Sequence, residues 1–205
     1  MSLIPYIDLT TVKGFLADDE AQALYNYASI AAPMGPILEV GSYCGKSTLF
    51  LAAAAQQSAG VVFAVDHHRG SEEHQVGEAY HDETLFDESL QQFDTFNAFR
   101  ANIQQAQLDD IVVPIVSPSV IAAKFWSTPL ALVFIDGGHS FEAAENDYKS
   151  WAPLVKKGGY LLIHDLFPNP DEGGQAPITI YRKAIASGLF EAEQTVNTLG
   201  ILRRI

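Results

Sequence analysis

Cysteine is almost missing from this chain of 205 residues, where Cys44 stands alone. That excludes an internal disulfide framework and suits a reducing, cytoplasmic setting. Positive charge is also scarce, with 12 Lys and Arg against 25 Asp and Glu, for a formal net charge of −13. A surface of that sign repels phosphate backbones, so nucleic acid is not an expected partner, whereas a small cationic ligand meets no barrier. No apolar run approaches the ~20 residues of a membrane span. The start, Met-Ser-Leu-Ile-Pro-Tyr-Ile-Asp, carries no basic segment before an apolar one, which argues against a signal peptide. Internal repeats and low-complexity tracts are absent as well. What is present is a globular composition, 48% hydrophobic, with length enough for one ordinary domain over residues 1–205. A homo-oligomer is compatible with all of this.

The chain is organised around Ile37-Leu38-Glu39-Val40-Gly41-Ser42-Tyr43-Cys44-Gly45-Lys46-Ser47-Thr48. An apolar run reaches an acid, turns through two glycines and opens a helical run at Leu49. Strand, tight loop and helix in that order place backbone N–H groups and a helix N-terminus around a nucleotide-like ligand.

Around it, Asp18-Asp19-Glu20 mark the N-terminus of a helix within an N-terminal extension, residues 1–35. Val61–Val65 reads as a strand buried on both faces and ends at Asp66. Residues 67–95 break the rhythm with four histidines (His67, His68, His74, His81) and eight acids against Arg69 alone. A stretch of that length is expected to be an acidic insertion or lid, its histidines solvated and without tight metal-ligand spacing. A helix over Phe96–Leu108 follows, then a strand at Ile111–Val116, Ser117-Pro118-Ser119 and a short helix near Val120–Phe125. Leu130–Ile135 is a further strand, ending at Asp136-Gly137-Gly138-His139. Ser140 caps a helix whose apolar stripe runs Phe141, Ala144, Tyr148, Trp151, Val155, with Lys156-Lys157 expected in its last turn and Gly158-Gly159 stopping it. Tyr160–Ile163 is the fifth strand, ending at His164-Asp165. A Pro/Gly-rich loop at 168–174, a helix opened by Pro177, and a strand pair turning at Asn197 complete the chain.

These elements predict an α/β fold: a single Rossmann-like domain with a mostly parallel seven-stranded sheet, helices on both faces and a C-terminal strand pair. Ligands of such sheets bind beyond the carboxyl ends of the strands. Every strand end here is polar: Glu39, Asp66, Ser117 and Ser119, Asp136, His164 and Asp165. Each alone reads as a cap or turn residue, but all five sets share one edge.

Gly45-Lys46-Ser47 looks like the tail of a phosphate loop, which needs four residues between its glycines; Gly41 and Gly45 enclose three. Glu39 would also point a carboxylate at triphosphate. Asp66, 25 residues after Gly41 at the end of the second strand, suits a ribose diol. A hydroxylated, cationic cofactor accounts for both acids.

Glu39 to Ser47 resembles the first motif of class I S-adenosylmethionine-dependent methyltransferases. It is particularly similar to that of catechol O-methyltransferases and of small-molecule O-methyltransferases acting on antibiotic sugars. Ile135–Ser140, Trp151, Lys157-Gly158-Gly159 and His164-Asp165 extend the resemblance, which covers about residues 37–166. It implies S-adenosyl-L-methionine as cofactor, held by Glu39, Gly41, Ser42, Tyr43, Gly45 and Ser47. It further implies Asp66 on the ribose, His67 beside the adenine, Ser117, Pro118 and Ser119 at the adenine edge, and Asp136 near the sulfonium. His139 takes the position of the general base, with Asp136 as its catalytic neighbour. In metal-dependent relatives the positions of Asp136, His164 and Asp165 hold magnesium, and the imidazole of His164 in place of an oxygen ligand suits a softer divalent metal or none. The expected activity is methyl transfer to a small-molecule hydroxyl, the acceptor meeting residues 67–95 and 166–176. A nucleotide-phosphate hydrolase using Lys46, with Lys46 otherwise a surface residue at a helix start, and an S-adenosylmethionine-binding module without catalysis stay open as alternatives.

Overall fold

The computed structural model describes residues 3–71, 75, 77 and 81–205. Its elements in chain order are α1 (Asp18–Ala31), β1 (Ile37–Val40), α2 (Lys46–Gln56), β2 (Val62–Asp66), β3 (Phe86–Asp87), β4 (Gln92–Phe93), α3 (Phe96–Gln105) and β5 (Val112–Val116). Then come α4 (Ser119–Ala122), β6 (Leu130–Ile135), α5 (Phe141–Trp151), β7 (Val155–Ile163), α6 (Ala176–Ala186), β8 (Phe190–Val196) and β9 (Leu199–Arg204).

Seven strands form one sheet in the order β5-β2-β1-β6-β7-β9-β8. The first five pair in parallel, and β9 and β8 close the sheet antiparallel. The order reverses at β1, which pairs β2 on one side and β6 on the other. A crevice opens there beyond the strand ends, the usual ligand position of such sheets.

Period-two alternation divides the sheet's side chains between two cores. Ile37, Ala64, Leu132, Phe134 and Leu162 pack toward Leu24, Ala28, Leu49, Phe99 and Ile103, from α1, α2 and α3. Leu38, Val40, Val65, Val133, Ile135, Leu161 and Ile163 pack toward Ala144, Trp151, Ile180 and Ala184, from α5 and α6. A sheet covered on both faces needs near-continuous apolar strands, which is why these runs lack polar positions except at their ends.

Two boundaries differ from the sequence reading. The stripe helix α5 stops at Trp151, and Ala152–Leu154 form a 3₁₀ turn with a proline in its first positions. Pro153 has no N–H to continue the helical ladder, so Val155, Lys156 and Lys157 join β7 instead of the last helical turn. β7 then makes a register shift against β6, with Leu130 opposite Val155 and Leu132 opposite Tyr160. Gly159 is required inside that bulge, where an added Cβ would lie 2.6 Å from the Ala131 carbonyl. Within the acidic segment, a 3₁₀ turn at Glu83–Leu85 leads into the two-stranded pair of β3 and β4. His74 lies outside the described residues. His68 is not solvated as expected; it is buried, packed on the rings of Phe96 and Phe99, with Nδ1 2.7 Å from the Thr95 hydroxyl.

Trp151 anchors the second core: it is fully buried, meets Trp126 edge-on at 5.4 Å and donates Nε1–H to Ser119 Oγ at 2.7 Å. Replacing it with alanine leaves a large cavity and is expected to cost about 3–5 kcal/mol in urea denaturation. A loss under about 1 kcal/mol would contradict this packing account.

Candidate active site

The loop after β1 is drawn tight. Gly41 has φ 87° and an added Cβ would sit 2.1 Å from the Asp136 carbonyl, so only glycine lets the β1 and β6 ends meet. Gly45, at φ 90°, is the N-cap of α2 and packs on Phe99. Tyr43 holds φ 46° between them and donates its backbone N–H to Asp66 Oδ2 at 2.8 Å. The other oxygen of Asp66 accepts the N–H of His68 at 2.7 Å. Loop and β2 end are thereby locked together, and Asp66 keeps lone pairs for hydroxyl donors.

A cavity of about 650 Å³ lies over this edge. Gly41, Ser42, Tyr43, Ser47, Asp66, His67, Ser117, Pro118, Ser119, Asp136, His139 and Asp165 all line it, and so does His164. Ser42 Oγ is buried there without a hydrogen-bond partner among the described residues. An orphaned hydroxyl of that kind calls for a ligand atom.

Glu39 and Gly45, expected on the cofactor, are not part of the lining. Glu39 is fully buried beneath the loop and accepts hydrogen bonds from the hydroxyls of Ser47, at 2.5 Å, and Thr48. Burial pushes its carboxyl up to about 8, only partly offset by those hydroxyls. Glu39 is therefore a neutral strut under the first turn of α2. Lys46 also departs from its expected surface position: it lines the cavity, half-buried, with Nζ 3.4 Å from the Gly14 carbonyl.

That contact reveals a wall the sequence did not announce. Lys13, Gly14, Phe15 and Leu16 run along the cavity, and Phe15 lies 5.9 Å from the Tyr43 ring. Lys13 pairs with Asp82 and with the Thr84 hydroxyl, joining this segment to the acidic insertion. His67, Gly70, Ser71 and Thr95 add to the wall from the insertion side, and Phe167, Glu172, Gly173 and Gly174 from the loop after β7.

The ends of β6 and β7 bring titratable side chains together at the cavity. His164 is buried with both ring nitrogens engaged: Nδ1 lies 3.0 Å from Asp136 Oδ1 and Nε2 3.0 Å from Glu20 Oε2. Burial opposes its charge, but Asp136, Asp165 and Glu20 together hold its pKa far above the ordinary imidazole range. Both ring nitrogens of His164 are thus occupied by carboxylates, and His164, expected beside Asp136 and Asp165 on a metal, is not in the described group of gathered ligand atoms. The residues whose ligand atoms gather, all within 4.8 Å of one another, are Asp136, His139 and Asp165. His139 Nε2 is 2.9 Å from Asp165 Oδ2. Asp165 itself sits at φ 59°, and although burial pushes its carboxyl up, His139 and His164 hold it well below the usual carboxylate range.

Glu20, the third turn-forming acid of α1, reaches this centre from across the chain. It is 2% exposed and fills four acceptor positions: Ala17 N–H at 3.1 Å, His164, and the N–H and hydroxyl of Thr198 at 2.9 and 2.7 Å. Burial pushes its carboxyl up, but His164 and Thr198 bring it down to about 2. An acid at a helix start is usually a solvated dipole partner, so local sequence carried no signal of this role. Asp147 was missed too, although a signal existed. It lies on the apolar stripe of α5, three residues after Ala144 and four before Trp151, where a carboxyl has no reason to be unless it is used.

Residues 38–166 match the methyltransferase domain family. The chain belongs to that family. Its fold is similar to that of the O-methyltransferase TomG from Streptomyces achromogenes (TM-score 0.64, 15% identity, covering 93% of this chain and 81% of that one). It is equally similar to an O-methyltransferase from Bacillus cereus (TM-score 0.64, 16% identity, 96% and 85% covered). The O-methyltransferase NovP gives a TM-score of 0.68 at 15% identity, with 91% and 79% covered. The matched span contains both stretches that the sequence singled out. No helix among the described residues is long and apolar enough to cross a membrane.

Because Glu20 has a lower pKa folded than its ordinary 4.5, its stabilisation is present above pH 4.5 and is lost as pH falls through about 2. Glu20→Gln removes one partner of a buried pair and is expected to cost about 3 kcal/mol at pH 7. Urea denaturation should show that the gap between variant and parent narrows below pH 4.5; a gap that stays constant on acidification would contradict the assignment.

Proposed function

We propose that this methyltransferase takes S-adenosylmethionine in the cleft and transfers its methyl group to the hydroxyl oxygen of a small molecule. The observation that carries the reading is the carboxylate edge over one cavity, with the buried Ser42 hydroxyl left for a ligand. The TomG structure is a complex with S-adenosylmethionine and the Bacillus cereus structure a complex with S-adenosylhomocysteine, and both proteins are O-methyltransferases. The residues present fit that cofactor: a glycine where backbone must approach closely, an acid for the ribose diol and anionic groups for a sulfonium.

The cofactor supplies a methyl group activated by the positive sulfur. This chain's part is to orient and deprotonate. Asp66 would hold the ribose, Ser42 and Ser47 the amino-acid end, and Asp136, its carboxyl fixed by His164, would stand near the sulfonium. His139, its imidazole oriented by Asp165, would take the proton of the acceptor hydroxyl as that oxygen receives the methyl group. The acceptor would lie against Phe15, Phe167 and the 172–174 loop, which line the cavity.

A second reading of the same residues rests on the gathering of Asp136, His139 and Asp165 within 4.8 Å. Two carboxylates and an imidazole form a donor set that suits manganese or a softer divalent cation at least as well as magnesium. Such an ion would lower the pKa of a bound hydroxyl. Treatment with a chelator separates the two: retained activity supports His139 as the base, and loss restored by manganese supports the ion. We propose one domain over residues 1–205, with the N-terminal segment and the described flanks of the acidic insertion as walls of the cavity.

Calorimetry with S-adenosylhomocysteine tests the cofactor reading. Binding is expected, weakened about 10- to 100-fold in Asp66→Ala through loss of charged hydrogen bonds; no binding at high micromolar concentration would sink it. In an acceptor panel, His139→Ala should lower kcat by about 10²- to 10³-fold while S-adenosylhomocysteine affinity is kept. Normal binding with no transfer to any hydroxyl by the parent protein would instead identify a binding module without catalysis.

A further inference from the structure

Glu39 sits under the β1 loop without touching the cavity, yet it carries a proton whose place decides what the cavity meets. Its side chain is fully buried. In register beside it stand Ala64 of β2 and Phe134 of β6, which bring no charge. Lys46, in the first turn of α2, is turned toward the Gly14 carbonyl. The charged groups acting on Glu39 are Asp136 and Asp66, both acids. A carboxyl sealed from water, with no cation paired to it among the described residues, stays neutral at pH 7. Its pKa is pushed up to about 8, chiefly by burial.

A neutral carboxyl has one hydrogen to donate, and among the described residues its side-chain partners are two hydroxyls, Ser47 Oγ at 2.5 Å and Thr48 Oγ1. The hydrogen therefore lies on one of these contacts, and the hydroxyl that receives it must send its own proton elsewhere. Thr48 is fully buried, with Glu39 its one side-chain partner among the described residues. Ser47 lines the cavity, so its proton can turn there. The arrangement that strands no proton has Thr48 donating to Glu39, Glu39 donating to Ser47, and Ser47 donating into the cavity. An ionised Glu39 reverses this: both hydroxyls donate to the carboxylate, and Ser47 offers the cavity lone pairs alone. Ser47 belongs to the first turn of α2, whose positive end meets the cavity, and the buried Ser42 hydroxyl of the same loop lacks a partner among the described residues. An anionic oxygen suits that place, and the carboxylate of the cofactor's amino-acid end supplies one.

We propose that Glu39 is a positioning residue acting through Ser47: as the neutral acid it turns the Ser47 hydrogen onto that carboxylate, and on ionising it withdraws the hydrogen and weakens the ligand. This rests on the S-adenosylmethionine reading of the cleft. Glu39 touches neither the ligand nor the reacting groups. Affinity is complete below about pH 8 and is lost as pH rises through it, since only the neutral acid serves.

Calorimetry of S-adenosylhomocysteine across pH, on the parent protein and on Glu39→Gln, tests this. The glutamine amide donates to Ser47 and accepts from Thr48 at every pH, so it mimics the neutral acid. From pH 7 to about pH 9 the parent should lose about tenfold in affinity relative to the variant; the ligand's own titration is common to both and cancels. Ser47→Ala should weaken binding at pH 7 and remove most of the alkaline loss, and it reports on the relay if Glu39→Gln does not fold. Infrared spectroscopy of the ligand-free protein gives an independent readout: a protonated-carboxyl band at pH 7, missing from Glu39→Gln, that fades above about pH 8. Parallel profiles for the parent and Glu39→Gln, or an undiminished alkaline loss in Ser47→Ala, would show a merely structural Glu39 and overturn the proposal. Binding without the infrared band also overturns it, while the cofactor reading stands. If the parent protein binds no S-adenosylhomocysteine at any pH, the cofactor reading fails and the proposal falls with it.

Discussion

One buried imidazolium fixes the geometry of the cleft. His164 spans Glu20 and Asp136 at 3.0 Å on each side, and those two carboxylates come from α1 and from the end of β6. Through Glu20 it binds α1 and, through Thr198, the turn between β8 and β9. Through Asp136 it sets the orientation of the carboxylate at the head of β6. A charge this deep is costly unless its partners are complete, and here each ring nitrogen has one. The consequence is a division of labour along the edge: His164 holds, while Asp136, His139 and Asp165 face the cavity.

The electrostatics of that edge are selective. Asp66, Asp136 and Asp165 place three carboxyl groups on the cavity. Glu39, one turn below, is pushed up to about 8 by burial and adds no charge at neutral pH. The loop that superficially resembles a phosphate cradle is thus backed by carboxyl groups, and its lysine is turned toward the Gly14 carbonyl. An edge of this kind disfavours a polyphosphate and favours a positively charged sulfur. The overall charge of −13 points the same way.

Much of the architecture was legible because it follows from local pattern. Continuous apolar runs ending in polar residues marked the parallel strands, and Ser140 capped α5 as expected, accepting the Ala143 N–H. Asp66 and Ser117–Ser119 were readable from their place after a strand. What failed to show was long-range. Glu39 reads as a ligand contact from sequence because an acid before a glycine loop is ambiguous between facing outward and lying underneath; the hydroxyls of Ser47 and Thr48 decide it. Glu20, 144 residues from His164, looks like any helix-start acid. His68 resembled its solvated neighbours until Phe96 and Phe99 enclosed it. The α5 boundary was misplaced for a local reason, since the apolar stripe continued through Pro153 while the backbone could not.

The most direct measurement is a crystal structure with S-adenosylhomocysteine bound. The account predicts the ribose hydroxyls within hydrogen-bond distance of Asp66, the sulfur beside Asp136, and His164 still bridging Glu20 and Asp136. A ligand seated away from the β1–β6 crevice, or His164 swung out of that bridge to face the cavity, would contradict it.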